Sequence, residues 1–214
     1  MGSSMCTAPH SDSKSDGVYE GEFKDQKRSG QGRLKCKNGD LYEGNFTNDV
    51  FDGLGRLKFS NGSIYEGSFA NGKIHGNGKF TTAEGDEYQG PFVNGQKSGQ
   101  GQYVWKNGDK YEGAFENDHK SGYGRLTYIN GNIYEGPFLI DKKNGMGSYK
   151  YSNGDHYEGS FADNDKQCGQ GRMKFNNGDL FEGAFENDQM NGPGRMTKAN
   201  GEIQQGVFEN SMLK

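Results

Sequence analysis

The chain has 214 residues, of which 29% are hydrophobic and 25% are charged, and its formal net charge is only −4. This mild acidity excludes the basic surface that nucleic-acid binding requires, and no apolar run approaches the roughly 20 residues that span a bilayer. Three widely spaced cysteines, Cys6, Cys36 and Cys168, suggest no disulfide framework and indicate a reducing compartment. We therefore expect a cytoplasmic protein, either cytoskeletal or attached to the periphery of a membrane.

Residues 1–17 are small and polar, and they predict a disordered N-terminal tail. Gly2 provides the glycine that N-myristoylation requires, although Cys6 stands where the usual signal has Ser or Thr. Cys6 could itself carry a palmitate, so Gly2 and Cys6 are the candidate lipidation residues. The alternatives are an unmodified tail and the remnant of an engineered tag.

Residues 18–214 repeat the motif Tyr-Glu-Gly-x-Phe at an interval of 23 residues, with one interval of 24 between Tyr157 and Phe181. The units start near residues 19, 42, 65, 88, 111, 134, 157 and 181, and a degenerate unit starts near residue 204. A fixed interval of this length is typical of a repeat architecture, in which each unit is one supersecondary element.

The second unit illustrates the predicted strands. Tyr42, Gly44 and Phe46 alternate with polar residues, as in a strand with one buried face. A second alternating run at residues 53–59 ends at Asn61-Gly62, which is a strong signal for a tight turn. The sequence therefore predicts an all-β fold, an elongated single-layer antiparallel hairpin meander of about nine repeats with almost no helix.

The charged residues of each unit are predicted to share the face opposite the aromatic rings. Glu43 and Arg56 alternate with the aromatic and glycine positions of their strands, so they belong to the other side of the sheet. The same types recur in four units at Glu20 and Arg33, Glu43 and Arg56, Glu112 and Arg125, and Glu182 and Arg195. We interpret this face as solvated and nearly neutral overall, with cross-strand ion pairs.

The combination of Tyr-Glu-Gly-x-Phe, then Gly-x-Gly, then Asn-Gly strongly resembles the MORN (membrane occupation and recognition nexus) repeat, from residue 19 to about residue 209. This chain departs from the family pattern by having Phe rather than Trp at the fifth position, and its only tryptophan is Trp105. The resemblance implies an extended antiparallel sheet. It also implies a scaffold at membrane junctions, cytoskeletal assemblies or cilia that binds protein segments or lipid.

Aromatic residues are densest between residues 103 and 161, and a single-layer sheet cannot hide all of them. An exposed apolar strip is a candidate for partner binding, and Tyr and Trp are favoured interface anchors. The alternative is that these rings only pack on one another. The candidate partner-binding residues are Tyr103, Trp105, Tyr111, Phe115, Tyr128, Tyr134, Phe138, Tyr149, Tyr151, Tyr157 and Phe161.

Catalytic and metal-binding patterns are missing from the sequence. The four histidines, His10, His75, His119 and His156, show neither the spacing of metal ligands nor a match to a nucleophile and an acid. We expect no enzyme activity, no cofactor and no metal. The first hypothesis is a scaffold whose concave aromatic face binds an extended or helical segment of another protein. The second is a membrane-attached organiser that uses lipidation or phospholipid contact. The edge strands of the terminal repeats could also form a homodimer.

Overall fold

The computed structural model describes residues 17–162 and 166–214, and these residues contain no helix. The predicted tail, with its lipidation candidates Gly2 and Cys6, lies outside the described residues. The chain divides into two units: unit 1 ends at Lys106, and unit 2 runs from Asn107 to Lys214. Each unit is an antiparallel meander in which strands that follow one another in sequence pair with one another.

The described residues of unit 1 form nine strands, which make four hairpins. The strands are β1 (Gly17–Lys24), β2 (Lys27–Cys36), β3 (Leu41–Thr47), β4 (Val50–Lys58), β5 (Ile64–Ala70), β6 (Lys73–Thr81), β7 (Glu87–Val93), β8 (Gln96–Lys97) and β9 (Gly99–Val104). β8 and β9 act as one interrupted strand, because both of them pair with β7.

The described residues of unit 2 form eleven strands with the same alternation of long hairpins. The strands are β10 (Lys110–Glu116), β11 (His119–Thr127), β12 (Ile133–Leu139), β13 (Lys142–Lys143), β14 (Gly145–Lys150), β15 (His156–Ala162), β16 (Lys166–Lys174), β17 (Leu180–Glu186), β18 (Gln189–Thr197), β19 (Ile203–Glu209) and β20 (Met212–Leu213). β13 and β14 both pair with β12.

Each unit has two different faces because successive side chains of a strand point to opposite sides. In the hairpin of β3 and β4, Glu43 pairs with Arg56 and Gly44 pairs with Gly55. We call the side that carries Tyr42 and the glycines the ring face, and the side that carries Glu43 and Arg56 the ladder face. The equivalent residues of the other hairpins keep the same register.

The ring at the first position of each motif lies flat over a pair of glycines. A Cβ atom added to Gly55 would lie 2.5 Å from the Tyr42 hydroxyl, so no side chain fits there. The Tyr42 hydroxyl donates a hydrogen bond to the carbonyl of Asn45 at 2.8 Å, and Phe46 and Phe69 flank the ring edge-on. The same position is buried in seven units, at Tyr42, Tyr65, Tyr88, Tyr111, Tyr134, Tyr157 and Phe181, whereas Tyr19 in the first unit is half-buried.

Successive hairpins are tied together by the residue that follows the Asn-Gly turn. The backbone N–H of Asp40 donates to the side chain of Asn38 at 3.0 Å, which orients the Asp40 carboxylate. That carboxylate then accepts the backbone N–H of Ser60 in the next hairpin at 2.8 Å. Asp86, Asp109, Asp155 and Asp179 make the equivalent contact. The interval of the repeat therefore fixes a hydrogen bond as well as a packing contact.

The predicted all-β meander of 23-residue repeats is confirmed, and the rings of the Tyr-Glu-Gly-x-Phe motif lie on the face opposite the Glu–Arg pairs. Of the cysteines in the described residues, Cys36 is buried at the end of β2 and Cys168 is free.

Candidate partner-binding surface

The eleven candidate partner-binding residues separate into two groups in the structure. Six of them belong to the buried ring layer and are at most 5% exposed: Tyr111, Phe115, Tyr134, Phe138, Tyr157 and Phe161. The other five are half-buried: Tyr103 and Trp105 in unit 1, and Tyr128, Tyr149 and Tyr151 in unit 2. The accessible part of the ring face is therefore supplied by the second strand of each hairpin and by the loop after it.

A position that the sequence patterns did not single out lies over the buried rings. It is the residue opposite the Phe of each motif, such as Phe51 opposite Phe46, and Phe51 stacks on Tyr42 with ring centroids 3.8 Å apart. We call it the lid position. It is occupied by Arg28, Phe51, Ile74 and Lys97 in unit 1, and by Lys120, Lys143, Gln167 and Met190 in unit 2.

Lysine at the lid position places a cation among aromatic rings. Lys143 is 8% exposed, and its Nζ lies 5.0 Å from the ring centre of Tyr149, 5.3 Å from that of Tyr134 and 5.5 Å from that of Tyr128. These distances are typical of cation–π contacts. The lysine stem also fills the space that Phe51 fills in unit 1, so this part of the ring face combines apolar surface with positive charge.

Three half-buried tyrosines form a platform on the ring face of unit 2. The ring centroids of Tyr128 and Tyr149 are 6.2 Å apart, and those of Tyr149 and Tyr151 are 4.6 Å apart. We call Tyr128, Tyr149 and Tyr151 the tyrosine platform. Tyr128 and Tyr151 occupy equivalent places in successive hairpins, because each donates its backbone N–H to the carbonyl of the residue four positions later.

The platform hydroxyls are held by amide side chains. Asn132 Nδ2 donates to the Tyr149 hydroxyl at 3.0 Å, and Gln167 Nε2 donates to the Tyr151 hydroxyl at 2.6 Å. Burial raises the pKa of both phenols above their ordinary value. Both hydroxyls therefore stay protonated at neutral pH, and each is a hydrogen-bond donor whose oxygen is already engaged as an acceptor.

The aromatic pair of unit 1 is arranged differently. Tyr103 and Trp105 have ring centroids 4.8 Å apart, and Lys97 Nζ lies 4.9 Å from the ring of Tyr103. The Tyr103 hydroxyl donates to the Asp86 carboxylate at 2.9 Å. Burial and this hydrogen bond raise the pKa of Tyr103. Because the Tyr103 hydroxyl already donates its proton to Asp86, Tyr103 can offer a partner apolar ring surface but no hydrogen-bond donor.

The ladder face carries exposed charges. The predicted pairs lie opposite one another in the register, as Glu20 and Arg33 do. The short contacts, however, connect one hairpin to the next: Arg33–Glu43 at 3.2 Å, Arg56–Glu66 at 2.9 Å, Arg125–Glu135 at 3.4 Å and Arg172–Glu182 at 3.9 Å. Exposed pairs of this kind contribute about 0.2–1 kcal/mol each, so they add little to stability.

One cluster on the ladder face of unit 2 resembles part of a catalytic triad. Ser148 Oγ lies 2.7 Å from His156 Nε2, and Glu158 approaches the same nitrogen at 3.9 Å. A triad requires the acid on the other ring nitrogen, so this geometry does not form one. Within residues 17–162 and 166–214, no group of three or more His, Cys, Asp or Glu residues could hold a metal ion.

The same described residues include no helix with the length and hydrophobicity that a membrane span requires.

The repeated motif has a known counterpart. A family model described as MORN repeat matches eight successive segments: residues 19–41, 42–64, 65–87, 88–110, 111–133, 134–156, 157–180 and 181–203. Comparison with curated proteins finds no match.

Among solved structures, the chain is similar to the SAS-4 (dCPAP) TCP domain of Drosophila melanogaster, in complex with a proline-rich motif of Ana2 (dSTIL). The identity is 11% and the TM-score 0.46, over 83% of this chain and 90% of that one. It is also similar to the TCP10 domain of Danio rerio CPAP, with 12% identity and a TM-score of 0.38 over 88% of both chains.

Proposed function

This chain belongs to the MORN repeat family, and on that premise we propose that it is a non-enzymatic scaffold that binds a segment of a partner protein. The binding residues are the accessible aromatic side chains of the ring face. The observation that carries the proposal is that five of the eleven candidate rings stay half-buried, whereas the other six are at most 5% exposed.

The tyrosine platform is the stronger of the two accessible groups. Tyr and Trp supply a large contact area with few rotatable bonds, which makes them frequent anchors of interfaces. The platform also offers two hydroxyl donors beside its rings, whereas the Tyr103 hydroxyl is bound to Asp86. A partner can therefore gain both apolar contact and oriented hydrogen bonds there. A cytoskeletal assembly is the setting that we propose for this binding.

The test is capture of partners from cells with the full-length chain, followed by identification by mass spectrometry. When Tyr128 and Tyr151 are both replaced by Ala, the captured amount of a reproducible partner should fall at least about fivefold, because both aromatic anchors are lost. Circular dichroism of the variant confirms that it is folded.

The matched control is the pair Glu112→Ala and Arg125→Ala, which alters the ladder face of the same unit. These residues lie opposite one another in the register, and their loss should leave capture unchanged. A partner that is lost with the ladder variants and kept with the platform variants would refute the proposal.

A second proposed function is membrane attachment through the tail, favoured by Gly2 and Cys6 in the sequence. One acyl chain binds a membrane only marginally, and two signals give stable attachment. In cell fractionation, Gly2→Ala should become soluble and Cys6→Ser should become largely soluble. Equal distribution of the native chain and both variants would exclude lipid attachment and leave the scaffold proposal intact.

A further inference from the structure

The ring face of unit 2 repeats its accessible aromatic residues at a regular interval. Tyr128, Tyr151 and Phe175 occupy equivalent places in three successive hairpins, each with the same backbone hydrogen bond, and all three are half-buried. Equivalent places are two strands apart, and strands lie about 4.8 Å apart, so the interval is about 9.6 Å. A polyproline II helix rises about 3.1 Å per residue and completes a turn in three residues, which is about 9.3 Å.

The two intervals agree, so a polyproline II segment that lies across the strands would bring every third residue to the next member of the series Tyr128, Tyr151 and Phe175. A proline at each of these places packs its ring against an aromatic side chain, which is how proline-rich segments dock on aromatic grooves. An α-helix completes a turn in about 5.4 Å and does not match the interval.

Hydrogen-bond chemistry favours the same occupant. A polyproline II segment makes no internal hydrogen bonds, so its carbonyl oxygens need donors from outside. The hydroxyls of Tyr149 and Tyr151 accept hydrogen bonds from Asn132 and Gln167, and their own protons remain to be donated.

The side chain that supports the platform also carries an unpartnered acceptor. Gln167 is 2% exposed, and its Oε1 is buried without a hydrogen-bond partner among the described residues. A buried acceptor in this state is costly.

The charges on this part of the surface are also uneven. Asp188 is exposed, and its carboxylate accepts the backbone N–H of Gln167 at 2.8 Å. Its negative charge is close enough to contribute to the raised pKa values of Tyr149 and Tyr151. The cation of Lys143 lies on the other side, against Tyr128 and Tyr149. A segment with a basic residue next to Asp188 would match this arrangement.

We infer that the ring face of unit 2 binds a proline-rich segment of another protein in the polyproline II conformation, with prolines three residues apart and a basic residue at the end nearest Asp188. The inference rests on the proposed function, because it names the partner chemistry of the same surface.

The test measures binding of fluorescein-labelled synthetic peptides to the full-length chain by fluorescence anisotropy. The probe carries one arginine followed by prolines at every third position. The comparison peptides are a shuffled sequence with its prolines adjacent, a version with glutamate in place of arginine, and an amphipathic helical peptide. The probe should bind more tightly than each of the others.

Variants of the chain locate the binding site. Tyr151→Phe keeps the ring and removes one donor, so it should weaken binding of the probe about fivefold, the effect of one hydrogen bond.

Asp188→Asn retains an acceptor for Gln167 and should weaken binding of the arginine probe while reducing its preference over the glutamate peptide. Tyr123→Ala is the matched control, because Tyr123 is 68% exposed on the ladder face of the same unit, and it should change nothing.

Two results would overturn the inference: binding of the shuffled peptide as tight as that of the probe, or equal affinity of the native chain and Tyr151→Phe. If the helical peptide binds instead and loses affinity with Tyr128→Ala and Tyr151→Ala, the proline-rich assignment is wrong and the proposed function stands. If capture from cells is also insensitive to the platform variants, the proposed function fails as well.

Discussion

At the scale of single residues, the repeated packing contact of this structure is a tyrosine ring that lies over two glycines. The ring of Tyr88 closes over Gly101, where an added Cβ would lie 2.6 Å from the hydroxyl and 2.7 Å from a ring carbon. Its hydroxyl donates to the carbonyl of Pro91 at 3.0 Å. The absence of side chains on the glycines is what allows a single sheet to bury such a large ring.

Gly101→Val should therefore lower the free energy of unfolding by about 2 kcal/mol or more, because the branched side chain must displace the ring. The measurement is urea unfolding followed by fluorescence. Gln102→Val, which points to the ladder face, should cost less than about 0.5 kcal/mol. Equal losses in the two variants would contradict the assignment of faces.

A strained residue lies at the tip of the β12–β13 hairpin. Ile140 has a φ of +47°, and the equivalent residues of other tips include Asn48, Asn94, Asn117 and Asn187. The left-handed conformation costs a β-branched residue about 1–2 kcal/mol, and Asn tolerates it better. Ile140 is also 64% exposed, so little packing offsets this strain.

Replacing Ile140 by Asn should raise the free energy of unfolding by about 1 kcal/mol and the melting temperature by about 2–4 °C. Differential scanning calorimetry measures both. The reciprocal change, Asn117→Ile, should lower them by similar amounts. A lower melting temperature in Ile140→Asn would show that the isoleucine side chain is stabilising rather than strained.

At the scale of the hairpin, the buried phenols make stability depend on alkaline pH. Burial raises the pKa of Tyr65 to about 12 from an ordinary value of 10.0, and burial together with the negative charge of Asp141 raises that of Tyr111 to about 12. A phenol with a raised pKa in the folded state stabilises the fold fully below pH 10. That contribution is lost as the pH rises towards 12, because only the unfolded chain ionises easily.

We expect the free energy of unfolding in urea to fall between pH 10 and pH 12, and the phenolate absorbance to appear together with unfolding. Tyr65→Phe should lose less stability over this range, and Phe181 shows that a ring without a hydroxyl is buried at the same position. Stability that stays constant up to pH 12 in the native chain would contradict burial of the phenols.

Hairpins also show how far the sequence predicts the structure. The two-residue alternation and the Asn-Gly turns predicted the strands and their faces, because both are local signals. The lid position was not predicted, since its residues range from Phe51 to Lys143 and Gln167 and share no chemical type. Which aromatic rings are accessible also could not be predicted, because burial here depends on how each ring lies over glycines in three dimensions.

The contact between hairpins had a signal in the sequence that we did not use. The residue after Asn-Gly is often Asp, and its carboxylate binds a backbone N–H of the following hairpin, as Asp40 binds that of Ser60. The recurrence of an acidic residue in a turn could have indicated this contact, but only the three-dimensional register identifies the N–H that it accepts.

At the scale of the whole molecule, the described residues contain strands and no helix. We therefore expect the far-ultraviolet circular dichroism spectrum to be that of β-structure. The spectrum should show no helical minimum at neutral pH. A strong helical signal in the full-length chain would contradict the repeat meander.

The central claim is that a partner protein binds the ring face and not the ladder face. Crosslinking from one position on each face tests this claim most directly. A photo-crosslinking aromatic amino acid can replace Tyr151 on the tyrosine platform or, in a matched variant, Tyr123 on the ladder face. Both positions accommodate a ring, because Tyr151 is half-buried and Tyr123 is exposed.

After irradiation of cells that express each variant, the account predicts a covalent adduct between position 151 and a segment of another protein, with little or no adduct from position 123. Adducts from position 123 in the absence of any from position 151 would contradict it.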